Sequence, residues 1–397
     1  MLPTRSRAAL AAGYFAYFGV VGVYSPYLAM WLADRGYSAL VIGEFAALAA
    51  GLRIFGPFAV AWLFDHVAVR RRWFVLAATV VCLAWGGVGL WSLGSQAMLP
   101  IAVMAGVFAL YSLAFNSLMP AYDAYVLDSL GPAQRDYGRL RWWGSAGFIV
   151  ASLAAGQWVA VAGAQVVVPA LVIAAVFTWV IYLCLPPEPP RTAKPASAHS
   201  VLAALRQRPV LVFMAVNVCH LAGFGAFYTY FSLYLQAHGY STFHIGLLWS
   251  WGVVAEIAVF LAGPWLVARF RLRTLLQWAL LGTAVRWILV ATLVDNVPLT
   301  WLGQTLHLAG FGLFHTVSVL LLPRLLPPGA SSRAQAVSGS LGWGLGGMLG
   351  NLGAAWAWYA TGPASAYFLG AGLTLLGAGI AALGLRGPEL DRLDPVP

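Results

Sequence analysis

The sequence predicts an all-α membrane protein with twelve transmembrane helices, arranged as two pseudo-symmetric six-helix bundles. Three observations lead to this fold class: an internal repeat, a very apolar composition, and twelve apolar runs of membrane-spanning length. The repeat is visible by eye. Gly36–Ser38 followed by Gly43 recurs as Gly239–Ser241 followed by Gly246, 203 residues further along the chain.

A chain of 397 residues that repeats itself at about half its length is typical of a duplicated protein. Each half is almost wholly apolar. Parallel repeats of hydrophobic helices are how one large class of secondary transporters builds a substrate site between two bundles. The repeat therefore indicates a function as well as a fold.

The composition requires lipid as the solvent of this chain. Hydrophobic residues make up 61% and charged residues 9%, whereas a soluble domain has about 25% charged residues. The three cysteines, Cys82, Cys184 and Cys219, are scattered in apolar runs. Their odd number and spacing predict neither a disulfide framework nor a metal site.

Apolar runs of about 20 residues, the length that crosses a bilayer, can be placed twelve times. They cover residues 8–33, 40–64, 73–93, 97–122, 142–162, 166–185, 209–235, 243–267, 274–294, 299–322, 334–360 and 365–385. The first run is too long for a signal peptide, so we expect a retained first span. In the eleventh, Gly342, Gly346 and Gly350 form a doubled small-xxx-small pattern, which predicts close helix packing.

A proline-rich and charged segment separates the two halves. It begins at Pro186-Pro187 and continues to Arg208-Pro209, a composition typical of a polar linker. The predicted organisation is an N-terminal bundle at 1–185, a cytoplasmic linker at 186–208 and a C-terminal bundle at 209–397.

The basic residues predict the orientation. With an even number of spans both termini lie on one side, and nineteen of the 22 Lys and Arg fall on that side, leaving only Arg35, Arg53 and Arg286. By the positive-inside rule both termini are cytoplasmic. The net charge of +10 lies in short turns, which argues against a nucleic-acid partner. We expect a multi-pass monomer in the inner membrane of a bacterium, with membrane lipid, protons and a small molecule as its partners.

Several ionisable residues lie inside the predicted spans. They are Arg53, Arg286, Glu256, Asp123, His220, His307 and His315. A charge at the middle of a bilayer costs at least about 2.5–3.5 kcal/mol, so such residues usually face a cavity or one another. Ion pairs that only hold helices together are the alternative for any single residue; for the whole set we expect a polar path.

The repeat relates two of these residues. Moving Arg53 forward by 203 positions leads to Glu256, so a cation and a carboxylate are expected at equivalent depths in the two bundles. Burial favours the neutral form of a carboxyl, while an arginine stays charged. Glu256 is therefore the preferred proton carrier.

Two other classes of protein fit poorly. A membrane enzyme needs a nucleophile–base set or metal-ligand spacing, and the sequence offers neither, so we expect no catalytic residues, no metal and no cofactor. A channel needs a continuous pore and a selectivity ring, which a duplicated chain of twelve spans does not naturally provide.

The residues resemble a known family at several points. Asp136–Arg141 followed by Trp143–Ser145 is similar to the fifth-helix motif of the oligosaccharide/proton symporters of the major facilitator superfamily, the group that includes lactose permease. Asp123 stands 18 residues before Arg141, the separation of the carboxylate–arginine pair that binds sugar there. Gln304–His307 is similar to the tenth-helix histidine motif. The resemblance implies a major facilitator fold and predicts that Asp123 and Arg141 are close enough to pair.

The sequence also departs from that group. The carboxylate expected three residues after the tenth-helix histidine is Gly310, and the eighth-helix glutamate corresponds to Val253, one turn before Glu256. Ala61 and Ala68 replace glycines of the loop signature. These departures weaken the sugar interpretation and indicate that the proton site has moved.

A resemblance to the 3-phenylpropionate permease branch covers more of the chain. It includes Gly13–Phe15, Arg53, Gly239–Ser241, and the long stretch formed by Leu248–Ser250 with Gly252–Glu256. The resemblance implies uptake of an aromatic monocarboxylate together with a proton. The alternatives are a sugar or nucleoside symporter, or an exporter of the same fold.

Candidate site residues follow from this substrate class. Glu256, Asp123 and His307 are the candidates for proton coupling. The anion requires a fixed cation, and Arg53, Arg141 and Arg286 are each able to bind a carboxylate through two hydrogen bonds. An aryl ring requires flat apolar walls. The candidate rings are Trp142, Trp143, Tyr228, Tyr230 and Trp251, with lipid-facing positions as the alternative for each.

Overall fold

The computed structural model describes residues 3–56, 70–95, 97–187, 206–325 and 331–386. Every regular element in these ranges is a helix. The N-terminal half forms α1 (Thr4–Asp34), α2 (Ala39–Leu52), α3 (Arg70–Gly94), α4 (Ile101–Leu130), α5 (Tyr137–Ala162) and α6 (Val167–Leu183). The C-terminal half forms α7 (Arg208–Ala222), α8 (Gly225–Ala237), α9 (Thr242–Arg269), α10 (Leu272–Leu293), α11 (Val297–Thr305), α12 (Phe314–Arg324), α13 (Ser331–Gly339), α14 (Gly347–Thr361) and α15 (Pro363–Gly384).

Ten helical runs in the described part are long and apolar enough to cross a membrane. Of the predicted second span, 40–64, the structure describes α2, which ends at Leu52 and is followed by a turn at 53–55. Residues 57–69 lie outside the described residues. The predicted eleventh span is present as α13 and α14 with a π-helical turn between them. The all-α membrane fold predicted from the sequence is confirmed.

Two spans are interrupted by π-helical turns, at Leu308–Leu313 between α11 and α12 and at Ser340–Gly346 between α13 and α14. A π turn closes its hydrogen bonds over five residues instead of four, so it changes the direction of the side chains that follow. Such turns occur frequently at functional sites. Both turns belong to the part of the chain that carries the candidate site.

Packing divides the chain into two compact units. Unit 1 comprises Met1–Ala193 and Thr229–Ser250, and unit 2 comprises Lys194–Tyr228 and Trp251–Pro397. The segment 229–250 is thus grouped with N-terminal helices, whereas the sequence assigns it to the C-terminal bundle. Residues 188–205 of the predicted linker lie outside the described residues, and the bundle boundaries stay a prediction.

Hydrogen bonds to backbone carbonyls hold the 229–250 segment within unit 1. The Tyr27 hydroxyl donates to the Ser152 carbonyl at 2.8 Å and lies 3.3 Å from that of Thr242. Tyr230, which is fully buried, donates to the Ala39 carbonyl at 2.6 Å. The start of α9 therefore packs where α1 and α5 meet, and Tyr230 contacts the first residue of α2.

Close helix packing in unit 2 agrees with the small-residue pattern of the sequence. A Cβ atom at Gly346 would lie 2.7 Å from the Val218 carbonyl oxygen, and one at Gly342 would lie 2.5 Å from the side-chain Nδ2 atom of Asn217. Since both partners belong to α7, these glycines bring the eleventh span into direct contact with the seventh.

Candidate functional site

Arg286 is a charged side chain that is completely buried in unit 2. It belongs to α10 and has a relative exposure of 0%. Its Nη2 donates to Gln304 Oε1 at 2.6 Å, and its Nη1 lies 3.0 Å from His307 Nδ1. The rings of Phe227 and Trp287 lie 4.2 and 4.5 Å from its Cζ atom. A buried cation is costly unless it is hydrogen-bonded, and these acceptors and ring faces supply the compensating contacts.

The contact with Arg286 determines which ring nitrogen of His307 carries the proton. A guanidinium has five donors and no acceptor, so the Nδ1 atom of His307 must accept and the ring proton must lie on Nε2. That nitrogen lies 3.9 Å from Glu256 Oε2, and its N–H is available to the carboxylate. Glu256, His307, Arg286 and Gln304 thus form one continuous series, which we name the polar row.

Two glycines bring Glu256 close to the tenth span. A Cβ atom at Gly252 would lie 3.3 Å from the His307 ring, and one at Gly312 would lie 3.4 Å from Glu256 Cγ. The Glu256 side chain is 16% exposed, twice the 8% of His307. Glu256 is therefore the more accessible end of the polar row.

The packing around Gly310 explains why this chain lacks a carboxylate there. A Cβ atom at Gly310 would lie 2.7 Å from Thr283 Oγ1 and 2.9 Å from Phe224 Cζ. In addition, His220 Nε2 donates to the Gly310 carbonyl at 2.7 Å and its ring stacks on Phe314 at 3.8 Å. An acidic side chain does not fit at this position, so the departure from the lactose permease group has a steric cause. His220 packs against the π turn that follows His307.

Aromatic rings form a wall beside the polar row. Phe224 stacks with Tyr228 at 5.8 Å between ring centroids, and Trp343 lies 5.7 Å from Tyr228 and 6.0 Å from Phe311. Phe311 in turn stacks with His307 at 5.7 Å. Tyr228, Phe311 and Trp343 are half-buried. We name Phe224, Tyr228, Phe311 and Trp343 the aromatic wall.

Asp123 in unit 1 is held by two tyrosines. The hydroxyl of Tyr14 donates to Asp123 Oδ1 at 2.6 Å and that of Tyr137 at 2.9 Å. Arg141 instead lies over aromatic faces, with its Cζ atom 4.3 Å from the ring centre of Phe18 and 5.4 Å from that of Tyr14. Asp123 and Arg141, which the resemblance predicts as a pair, share Tyr14 as a neighbour but form no direct ion pair.

The glycine of the fifth-helix motif makes room for Arg141. A Cβ atom at Gly144 would lie 2.8 Å from Arg141 Nη1 and 2.6 Å from Phe18 Cδ2. A larger residue would have to displace either the guanidinium or the ring beneath it. Gly144 of the motif therefore leaves the space that the Arg141 guanidinium occupies.

Arg53 directly follows the end of α2. Its Nε atom is buried and has no hydrogen-bond partner among the described residues. Four rings near this part of unit 1 stack in series: Tyr24 on Tyr111 at 4.7 Å, Tyr111 on Phe115 at 5.0 Å, and Phe115 on Tyr17 at 4.2 Å. The tyrosine hydroxyls of this stack lie within electrostatic range of the Arg53 charge.

The tryptophan candidates lie on exposed surfaces. Trp142 and Trp143 are 52% and 42% exposed, with their rings 5.0 Å apart. Trp251 is 40% exposed and donates to Thr305 Oγ1 at 2.8 Å. Exposed residues of α9 recur at helical spacing at Trp251, Val254, Leu261 and Trp265, a pattern typical of a lipid-facing stripe. A substrate role for these tryptophans stays a prediction.

Sequence reasoning missed several residues of the site. Gln304 was part of a recognised motif, but no role was predicted for it. Phe224, Phe311 and Trp343 belong to the aromatic wall without any motif of their own, and neither π turn was predicted. The glycine-rich run from Gly342 to Gly350 was the signal for an unusual eleventh span. Across the described part of the chain, no three His, Cys, Asp or Glu side chains converge as metal ligands do.

The apolar spans together with the buried polar row define a secondary transporter. The sequence matches the MFS_1 like family over residues 8–369, so this chain belongs to that family of the major facilitator superfamily.

Named relatives agree with this assignment. A probable 3-phenylpropionic acid transporter of Escherichia coli is 32% identical over 320 residues, which cover 78% of this chain and 80% of that protein. The maltose permease of Geobacillus stearothermophilus is 26% identical, with 84% and 83% covered. The crystal structure of the nucleoside transporter NupG superposes with a TM-score of 0.80 at 16% identity, covering 96% of this chain and 99% of that one. The last similarity shows the fold alone.

Proposed function

We propose that this protein imports a small aromatic monocarboxylate together with a proton. The observation that carries the proposal is the polar row, in which one carboxylate faces a histidine whose other nitrogen is occupied by a buried arginine. In such a row one group can gain and lose a proton while the buried arginine keeps its hydrogen bonds.

That group is Glu256. A proton on His307 Nδ1 would put an N–H opposite the Arg286 donor and would break the 3.0 Å contact. A proton on Glu256 weakens the attraction between the carboxylate and the His307 N–H, 3.9 Å away, and leaves the Arg286 contacts in place. His307 then orients the carboxylate through its Nε2–H group, while Arg286 keeps its charge throughout the cycle.

The substrate anion binds at the arginines of unit 1 in this proposal. Two N–H groups of Arg286 already contact Gln304 and His307. The Cζ atom of Arg141 lies over the ring face of Phe18, and a guanidinium placed on a ring can still bind a carboxylate through its N–H groups. Arg53 is the second candidate. The ring stack of unit 1 supplies flat apolar surfaces for an aryl group.

The charge balance explains why the proton is required. Moving a bare anion into a negative interior costs about 2.3 kcal/mol per 100 mV. With one proton and one anion bound together, the loaded site carries no additional charge. Alternating access follows if the empty deprotonated carrier and the doubly loaded carrier both reorient, while the singly loaded forms do not.

Relatives support the substrate class and also the alternative. The probable 3-phenylpropionic acid transporter favours an aromatic acid. The maltose permease and a putative nucleoside transporter, 25% identical, favour a sugar or nucleoside symporter. An exporter would use the same residues with the opposite net direction.

The test is uptake into proteoliposomes. With 3-phenylpropionate as the probe, we expect accumulation driven by an inward proton gradient, with maltose and uridine as the comparison substrates. Glu256→Gln should abolish accumulation and retain counterflow, because the neutral side chain mimics the protonated form. Glu44→Gln, at an exposed glutamate of α2, is the matched control.

Two results would overturn the proposal. Accumulation by Glu256→Gln would make Glu256 a structural residue and move the proton to another group, with Asp123 next in line. Gradient-driven uptake of maltose or uridine in place of 3-phenylpropionate would establish the alternative substrate class.

A further inference from the structure

A groove between α3 and α6 lies apart from the polar row, in unit 1. Its volume is about 630 Å³, and its lining residues are Arg71, Arg72, Val75, Leu76, Thr79 and Leu183. Two arginines thus lie at one end of a surface that is otherwise almost entirely apolar. Neither arginine has a role in the transport proposal.

The arginines are fixed by the ends of the two helices. Both lie in the first turn of α3, and Arg71 Nη2 donates to the Leu183 carbonyl, the last of α6, at 2.5 Å. Farther along the groove, Trp179 Nε1 donates to Thr79 Oγ1 at 2.9 Å. These contacts join α3 and α6 at two levels, so the groove is a built feature of unit 1.

Apolar side chains continue away from the arginines on both helices. On α3 the exposed residues are Leu76, Leu83 and Leu90, at 55%, 70% and 73%. On α6 they include Ile173 at 60% and Val180 at 43%. We name Leu76, Leu83 and Leu90 the leucine stripe. It is about 21 Å long at 1.5 Å per residue, which exceeds the roughly 15 Å thickness of one hydrocarbon leaflet.

We propose that this groove is a binding site for an anionic phospholipid. The phosphate lies between Arg71 and Arg72, and an acyl chain extends over Leu76 and along the leucine stripe. Charge complementarity selects this occupant, because two guanidinium groups favour a headgroup with net negative charge over one that carries its own cation. A lipid in this groove would contact both helices, at the two arginines of α3 and at Leu183 of α6.

The test measures lipid-dependent thermal stability of the purified full-length protein in detergent. Dioleoylphosphatidylglycerol is the anionic probe, and dioleoylphosphatidylcholine is its zwitterionic counterpart. A ligand of the folded state raises stability by mass action, so the lipid concentration that gives half of the stabilisation reports affinity. We expect phosphatidylglycerol to act at a lower concentration than phosphatidylcholine.

Two variants probe the two halves of the site. Arg72→Gln should raise the half-saturating concentration of phosphatidylglycerol about fivefold, the contribution of one basic residue near a membrane surface. Leu76→Trp, at an exposed position, should also raise it by filling the groove while both arginines remain. Arg386→Gln is the control, since Arg386 is exposed just after the end of α15 and among the described residues bonds only to the carbonyl of Ala382, in the last turn of that helix.

The proposal is overturned if the two lipids stabilise the wild-type protein at the same concentration. It is equally overturned if Arg72→Gln or Leu76→Trp leaves the half-saturating concentration unchanged, or if Arg386→Gln raises it as much as Arg72→Gln does.

Discussion

The burial of Arg286 predicts a specific loss of stability when Gln304 is changed. Gln304 is fully buried, and its Oε1 atom accepts from Arg286 Nη2 at 2.6 Å. Gln304→Met keeps the length of the side chain and removes this acceptor, leaving a charged N–H group without its partner. A hydrogen bond to a charged group contributes about 1.5–3 kcal/mol to the free energy of unfolding.

A second polar atom of Gln304 narrows the expected loss in the free energy of unfolding. The Nε2 atom of Gln304 is buried and has no hydrogen-bond partner among the described residues. Removing this unpaired polar group is favourable, so it offsets part of the loss in the free energy of unfolding. We therefore expect about 1.5–2 kcal/mol, which lowers the melting temperature by about 3–8 °C for a unit of this size. Gln304→Glu keeps an acceptor and adds a charge opposite to that of Arg286, so it should be at least as stable as wild type.

A matched glutamine is present on α10. Gln277 Nε2 donates to the Ala378 carbonyl at 3.1 Å, a bond between neutral groups that contributes about 0.5–1.5 kcal/mol. Thermal unfolding of the purified protein, followed by tryptophan fluorescence, compares the variants. If Gln304→Met and Gln277→Met lower the melting temperature equally, or if Gln304→Glu is as unstable as Gln304→Met, Arg286 does not depend on Gln304.

Two glycine substitutions test the steric arguments of the site. Gly310→Ala should destabilise the protein by about 1–3 kcal/mol, as overpacking does, because its Cβ atom would lie 2.7 Å from Thr283 Oγ1; a melting temperature equal to that of wild type would refute the explanation for the missing carboxylate. Gly144→Ala should reduce substrate affinity about tenfold by displacing Arg141, since a hydrogen bond to a charged group contributes at least about 1.5 kcal/mol. Gly138→Ala on the same helix, where a Cβ atom meets no neighbour, should leave the affinity unchanged. Equal binding of 3-phenylpropionate by both variants, measured by isothermal titration, would show that the position of Arg141 is not fixed by Gly144.

The sequence by itself determined the membrane fold and the family. Lipid cannot hydrogen-bond to the backbone, so a span must be a helix or a strand of a closed barrel. Apolar runs of about 20 residues have the length of the helix, and such runs are readable without any tertiary contact. For the same reason a charged residue within a span is conspicuous. Glu256, Arg286 and His307 were identified in this way, and the structure brings them together in the polar row.

Only the tertiary structure decided which groups meet. Arg286 contacts Gln304 and His307, which lie on another helix, and Asp123 bonds to Tyr14 and Tyr137 instead of pairing directly with Arg141. Hydropathy is a property of each residue in turn, whereas a contact depends on how helices rotate and pack against one another. The π turns change that rotation within single spans, and glycines such as Gly252 set how closely the helices approach. The sequence marks the charged residues, but their partners follow from the packing.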